Sequence, residues 1–171
     1  MTIPTQRQEV LERLEKNRKH LLEIVSQIPE EQLTRPQKPG DRSPKGQLLH
    51  LAETEWSYVE RWARRARDED APDVSAPPRE DPSRAPLYDE ANDIPLSELL
   101  DRLVKARENT HRFMEETSDE QFPRVARNTP FGNMTVAQLL RSLYRHDEMH
   151  FDEILGKQSR YVVTTSDGRR L

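Results

Sequence analysis

Two histidines four residues apart, His146 and His150, stand in the run Arg145-His146-Asp147-Glu148-Met149-His150-Phe151-Asp152-Glu153. On a helix that spacing stacks both imidazoles on one face, a turn apart. Such a pair can share one metal ion, but two ligands do not close a site. Asp147 falls near the centre of the same helix's apolar stripe, where an ionised carboxylate is costly unless paired. Two imidazoles and a cation beside it would offset that cost. Glu153, three residues past His150, can orient an imidazole through its second nitrogen. Read blandly, the pair is two surface histidines at a charged helix end, and spacing alone does not choose between the two readings.

The other histidines are placed by their neighbours. His20 sits among charges on the flank of the first helix and reads as a surface residue. His111 sits at the margin of an apolar face and reads as packing. His50 follows Leu48 and Leu49, and a helical wheel turns it away from the centre of the apolar face. That suits a cleft at a bundle's rim, where a catalytic metal keeps an open position. The five glycines do not cluster, so there is no phosphate-binding loop. Ser57 and Ser142 lack a nucleophile-elbow pattern. With no cysteine, thiolate ligands and a cysteine nucleophile are excluded. The pair differs from the His-Glu-x-x-His of zinc proteases, since Asp147 stands in place of the general-base glutamate.

Four helices must position these residues. The first is expected over Thr5–Ile28, with Val10, Leu11, Leu14, Leu21, Leu22, Val25 and Ile28 as its stripe; Asn17 and Arg18 interrupt it. Ser43 and Pro44 are cap and first residue of a second helix to about Arg67. Its expected face is Leu48, Leu49, Ala52, Trp56, Val59, Ala63 and Ala66. A proline-rich connection over 70–95 follows, which Leu87 and Tyr88 could pin to the bundle. The third helix is expected over Leu96–Thr117, faced by Leu96, Leu99, Leu100, Leu103, Thr110 and Met114. A loop with Pro123, Pro130 and Gly132 leads to Thr135, cap of a fourth helix ending at Gly156. Its face is Val136, Leu139, Leu140, Leu143, Phe151 and Ile154. Glu31-Gln32-Leu33 echoes Glu120-Gln121-Phe122, and Gln47-Leu48-Leu49 echoes Gln138-Leu139-Leu140. The expectation is an all-α four-helix bundle: two similar helical hairpins joined by the long proline-rich connection. Residues 1–156 would form one domain and 157–171 a polar tail.

Charged residues are 34% of the 171, yet the net charge is −4 without a long basic run, which argues against nucleic acid as partner. No long apolar run marks a membrane span or leader, so a cytoplasmic protein is expected.

The run Ser43-Pro44-Lys45-Gly46-Gln47-Leu48-Leu49-His50-Leu51-Ala52-Glu53-Thr54-Glu55, followed by His146-Asp147-Glu148-Met149-His150, resembles the DinB/YfiT-like family of four-helix bundles. The resemblance spans roughly residues 5–156. It implies a metal site with His50, His146 and His150 as ligands and water in the remaining positions. Family members often have Glu where Asp147 stands and Gln where Glu153 stands. Zinc is the default ion for such a site, with nickel, iron or manganese as alternatives. Some relatives look like transferases or isomerases that use bacillithiol, mycothiol or glutathione. The function expected is therefore a divalent-metal-dependent thiol S-transferase or hydrolase acting on a small molecule. Asp147 and Glu153 would stand behind the ligands, and Glu53, one turn after His50, would serve as acid or base. The other reading is a non-catalytic metal- or small-molecule-binding bundle that responds to stress or damage. Family bundles often dimerise, and Trp56, Trp62 and Tyr58 could serve a homodimer interface, although core packing explains them as well.

Overall fold

A computed structural model of the chain describes residues 6–75 and 87–159. The expected first residue of the first helix, Thr5, residues 76–86 of the proline-rich connection and residues 160–171 of the expected tail lie outside the described residues.

Helix α1 spans Gln6–Ser26 and buries Val10, Leu14, Asn17, Arg18, Leu21, Ile24 and Val25. It stops short of Ile28, because Pro29 forces an extended backbone just beyond (φ −56°, ψ 142°). Leu22, expected on the stripe, is exposed, and Ile24 takes its place inside. Helix α2 begins at Pro44 as expected, with the Ser43 hydroxyl accepting the Gly46 amide. It runs as an α-helix over Pro44–Ser57, passes through a π-helical turn at Tyr58–Ala63, and ends in an α-turn, Arg64–Asp68. Trp56 is 49% exposed and Glu55 is buried in its stead. Both lie one turn from Ala52, so spacing permits either, and apolarity alone favours the wrong one. Helix α3, Leu96–Glu116, buries Leu99, Leu103, Ala106, Arg107, Asn109, Thr110, Phe113 and Met114.

The segment expected as a loop before the fourth helix contains an antiparallel hairpin, β1 (Val125–Thr129) and β2 (Gly132–Thr135). Its turn needs left-handed backbone at Asn128 (φ 58°) and Gly132 (φ 90°). The strands are short and half polar, so no alternating apolar pattern announces them. They persist because Pro72 and Val74 exchange backbone hydrogen bonds with Arg127. Helix α4, Val136–Ile154, opens with a reciprocal cap between Thr135 and Gln138 and buries all six expected apolar residues.

The core falls into two apolar clusters. One gathers Val10, Leu14, Tyr58, Val59, Phe113, Met114, Leu139 and Leu140. The other gathers Leu21, Leu48, Leu49, Leu99, Leu103, Phe151 and Ile154. Chain order through them shows that α1 and α4 run one way and α2 and α3 the other. A parallel α2–α3 pair needs a long return between the end of α2 and the start of α3, which fits the length of the connection between them.

Between the clusters lies a buried charged layer to which each helix contributes one ion. Glu55 of α2 accepts hydrogen bonds from Arg18 of α1 (2.7 Å) and Arg107 of α3 (2.7 and 3.2 Å). Thr110 donates to it as well, at 2.7 Å. Arg107 also reaches Asp147 of α4 at 3.1 Å and the Leu14 carbonyl. Asn17 and Arg18, which interrupt the α1 stripe, are thus a polar patch inside the bundle. The two arginines hold the Glu55 carboxyl below its ordinary value against the opposing effect of burial. For Asp147 burial prevails and its carboxyl is pushed up.

Candidate metal centre

His50 lies in the second turn of α2, and His146 and His150 lie one turn apart on α4. The His146 Nε2 is 3.1 Å from that of His50 and 3.0 Å from that of His150. His150 is buried, whereas His50 and His146 are each partly exposed, so one side of the cluster is open. His50 stands at the rim, as its wheel position implies, and that rim faces α4.

The outer nitrogens set the proton positions. Glu153 Oε2 is 2.7 Å from His150 Nδ1 and also accepts from Gln47 Nε2 at 2.8 Å. An ionised carboxylate there keeps the His150 proton on Nδ1 and turns the Nε2 lone pair inward. Despite burial, the bond from His150, that of Gln47 and the charge of Arg42 hold the Glu153 carboxyl below its usual range. Thr54 Oγ1 lies 3.3 Å from His50 Nδ1 and can do the same for that ring. His146 is held well below the ordinary imidazole range, by burial first, then by His150, His50 and Arg42. The inner nitrogens of the three rings are crowded together.

Ring nitrogens this close need either a shared proton or a cation between them. Ligand nitrogens about 2.0–2.1 Å from a metal are separated by about 2.8–3.4 Å in octahedral or tetrahedral geometry. The observed 3.0 and 3.1 Å edges fit that range. Among the described residues this is the group whose donor atoms could hold a metal ion. The donor set suits a borderline divalent ion.

Glu153 takes the position behind His150 that its spacing implies. Asp147 does not: it is buried against Arg107 in the charged layer, not against an imidazole. One residue along a helix is a turn of about 100°, so Asp147 and His146 cannot share a face. Glu53 is exposed and lines a groove toward α3 with Trp56, Arg61 and Arg102, away from α4. His20 meets Phe151 edge-on and His111 meets Glu15 at 2.8 Å, so neither joins the cluster. Three residues around the site carried no assigned chemistry. Gln47 precedes His50 by three and shares its face. Tyr88 lays its ring 5.4 Å from that of His50. Arg42 lies over the Tyr88 ring at 5.6 Å. The Gln47–His50 spacing was readable; the other two depend on how the crossover lands.

The sequence profile of the DinB superfamily matches residues 13–154. The chain belongs to the DinB superfamily. Its fold is similar to that of YfiT from Bacillus subtilis, described as a probable metal-dependent hydrolase with an unusual four-helix bundle topology. The TM-score is 0.67 at 19% identity, over 91% of this chain and 87% of that one. A conserved protein from Enterococcus faecalis is similar at TM-score 0.65 and 16% identity, over 91% of this chain and 95% of that one. No match is found among curated proteins. No helix among the described residues is long and apolar enough to cross a membrane.

Proposed function

We propose that this DinB superfamily member is a divalent-metal-dependent enzyme acting on a small molecule, of the hydrolase or thiol S-transferase kind, with His50, His146 and His150 as ligands. One observation carries this: three imidazoles from two helices gather one nitrogen each within 4.8 Å of one another, and the cluster is open on one side. YfiT, described as a probable metal-dependent hydrolase on the same fold, supports the reading. A divalent ion at that point, with zinc as the default, supplies Lewis acidity that makes a water or a thiol nucleophilic near neutral pH. The residues do the rest. Glu153, braced by Gln47, fixes the His150 tautomer. Tyr58 stacks behind His146 at 6.5 Å between ring centres. A thiol nucleophile must come from solution, because the chain has no cysteine. Trp56 and Val104, both 49% exposed, are candidates for a homodimer contact, for which sedimentation equilibrium is the check.

The test is metal content by plasma mass spectrometry on untagged protein, beside a His146→Ala/His150→Ala variant. About one metal per chain, lost in the variant, is expected, followed by turnover of an ester or of an electrophile with added thiol. No metal in either, even after incubation with zinc or nickel, overturns the proposal.

A further inference from the structure

A cleft of about 640 Å³ opens between α1 and α4, within the size range of small-molecule sites. None of the three clustered imidazoles lines it. Its floor holds Asn17, which interrupts the apolar stripe of α1 and is only 7% exposed. The Asn17 amide nitrogen donates to the Tyr144 carbonyl at 2.8 Å and to Glu148 Oε1 at 3.4 Å. Both partners are acceptors, so the orientation of the amide is fixed. The side-chain oxygen faces away from them, makes no hydrogen bond with any described residue and opens on the cleft. A nearly buried carbonyl without a donor is costly to keep, and its partner has to come from outside the fold.

Depth sorts the charges around that oxygen. Arg13, Lys16 and Lys157 line the cleft but are exposed at its rim, and Arg13 lies over the Tyr144 ring at 5.2 Å. The charged residues that are half-buried are both carboxylates, Glu148 and Asp152, one turn apart on α4. Glu148 is engaged with Asn17, whereas the Asp152 carboxylate makes no hydrogen bond or ion pair with the described residues. Phe151 is buried, and the His20 ring meets it edge-on at 5.4 Å, which gives the cleft an apolar wall. The deep part therefore offers acceptors and apolar surface and no charged donor, and its complement is a cation bearing N–H groups. No three His, Asp or Glu ligand atoms of this cleft lie close enough to share a metal ion, so a bare divalent ion does not match. A guanidinium asks for a coplanar pair of acceptors, whereas the three N–H bonds of an ammonium radiate from one point and suit acceptors on two helices. We propose that this cleft binds a small organic ammonium compound, its charged head held by Asn17 Oδ1 and the Asp152 carboxylate and its apolar body against Phe151.

The probe is benzylammonium, set against benzyl alcohol, which keeps the ring without the charge, and benzoate, which reverses the charge. Each is titrated into the nitrogen-15-labelled full chain at pH 7 and followed by amide chemical shifts. Benzylammonium should saturate, with its largest shifts at Asn17, Phe151 and Asp152. It should bind about tenfold more tightly than benzyl alcohol, the scale of one charge-assisted hydrogen bond. Asp152→Asn should bring the two probes to near parity, with unchanged circular dichroism because the Asp152 side chain holds no other described residue in place. Asp101→Asn, an equal loss of charge on α3, should leave the preference intact. Benzyl alcohol or benzoate binding as tightly as benzylammonium, shifts spread over the acidic surface, or a preference that survives in Asp152→Asn overturns the proposal. None of these readings needs a metal, so the outcome is separate from that of the metal-content test.

Discussion

Replacing Glu55 with glutamine tests whether the buried charged layer holds the bundle together. The side chain is 2% exposed and accepts four hydrogen bonds, three from arginine nitrogens and one from Thr110. Glutamine preserves the shape but removes the charge, so a layer of two cations and two anions is left with one uncompensated cation. Its amide also directs N–H groups at arginine N–H groups. Each charge-assisted bond contributes about 1.5–3 kcal/mol net, and two such partners are weakened, giving about 3–6 kcal/mol. Direct experience with one-sided removal of buried pairs gives about 3–5 kcal/mol. Asp147 can absorb part of the loss by drawing closer to Arg107, so about 3 kcal/mol is the expected figure. Urea unfolding of both proteins at pH 7, followed by helical circular dichroism, measures it. A loss below about 1 kcal/mol would refute the reasoning, because it is the value of an exposed pair and would mean that water reaches the layer. The companion variant carries Arg18→Met, Glu55→Leu, Arg107→Met and Asp147→Leu together. It should be as stable as wild type or more so, since the desolvation of four ions disappears with their attraction.

Other outcomes follow from the same contacts. The folded Glu55 carboxyl titrates below its ordinary value of 4.5, so its contribution is complete above pH about 4.5 and is lost as pH falls through the folded pKa. Asp147, pushed up, has the opposite sign: its ionisation costs stability above its folded pKa, and that cost is relieved as pH falls. The urea midpoint of the wild type should therefore drop on the acid side of pH 4.5, and Glu55→Gln should flatten that limb; equal slopes would count against the assignment. Glu153→Gln removes the carboxylate 2.7 Å from His150 Nδ1 and should weaken zinc binding about 10–100-fold, read by competition with a chromophoric chelator. Gly46→Ala drives a methyl to within 2.8 Å of the Leu87 carbonyl and should cost about 1–3 kcal/mol, with cobalt affinity retained and thiol access altered. Unchanged melting in that variant would show that the crossover is not clamped there.

Much of this architecture is legible before any coordinates. The Ser43-Pro44 and Thr135–Gln138 caps announce two helix starts, and six apolar residues of α4 define its buried face. The imidazole triad is legible only in part. The i, i+4 pair declares itself, but the wheel points His50 away from the apolar centre, and only the packing of α2 on α4 turns that rim position into a meeting point. Charged residues mislead most. Glu55 hides behind Trp56 because burial is read from apolarity, although the two arginines that make it tolerable lie 37 and 52 residues away. Asp147 is correctly recognised as a buried carboxylate in need of a partner, and the partner proves to be Arg107 on a third helix. The hairpin escapes because its strands are held by Pro72 and Val74, remote contacts that no local pattern encodes.

The charged layer also sets where each helix sits along its axis. Apolar side chains tolerate sliding, because one leucine packs against another almost as well a turn further on. Ions do not: slipping any helix by one turn, about 5.4 Å, would carry Arg18, Glu55, Arg107 or Asp147 into a purely apolar cluster, at several kcal/mol per stranded ion. The same axial lock governs the neighbouring imidazoles. His50 and His146 belong to different helices, and a slip of even half a turn would break a 3.1 Å approach. The ordering cost of bringing three imidazoles together is thus met when the chain folds, so that under the proposed function an arriving ion would find its donors already gathered.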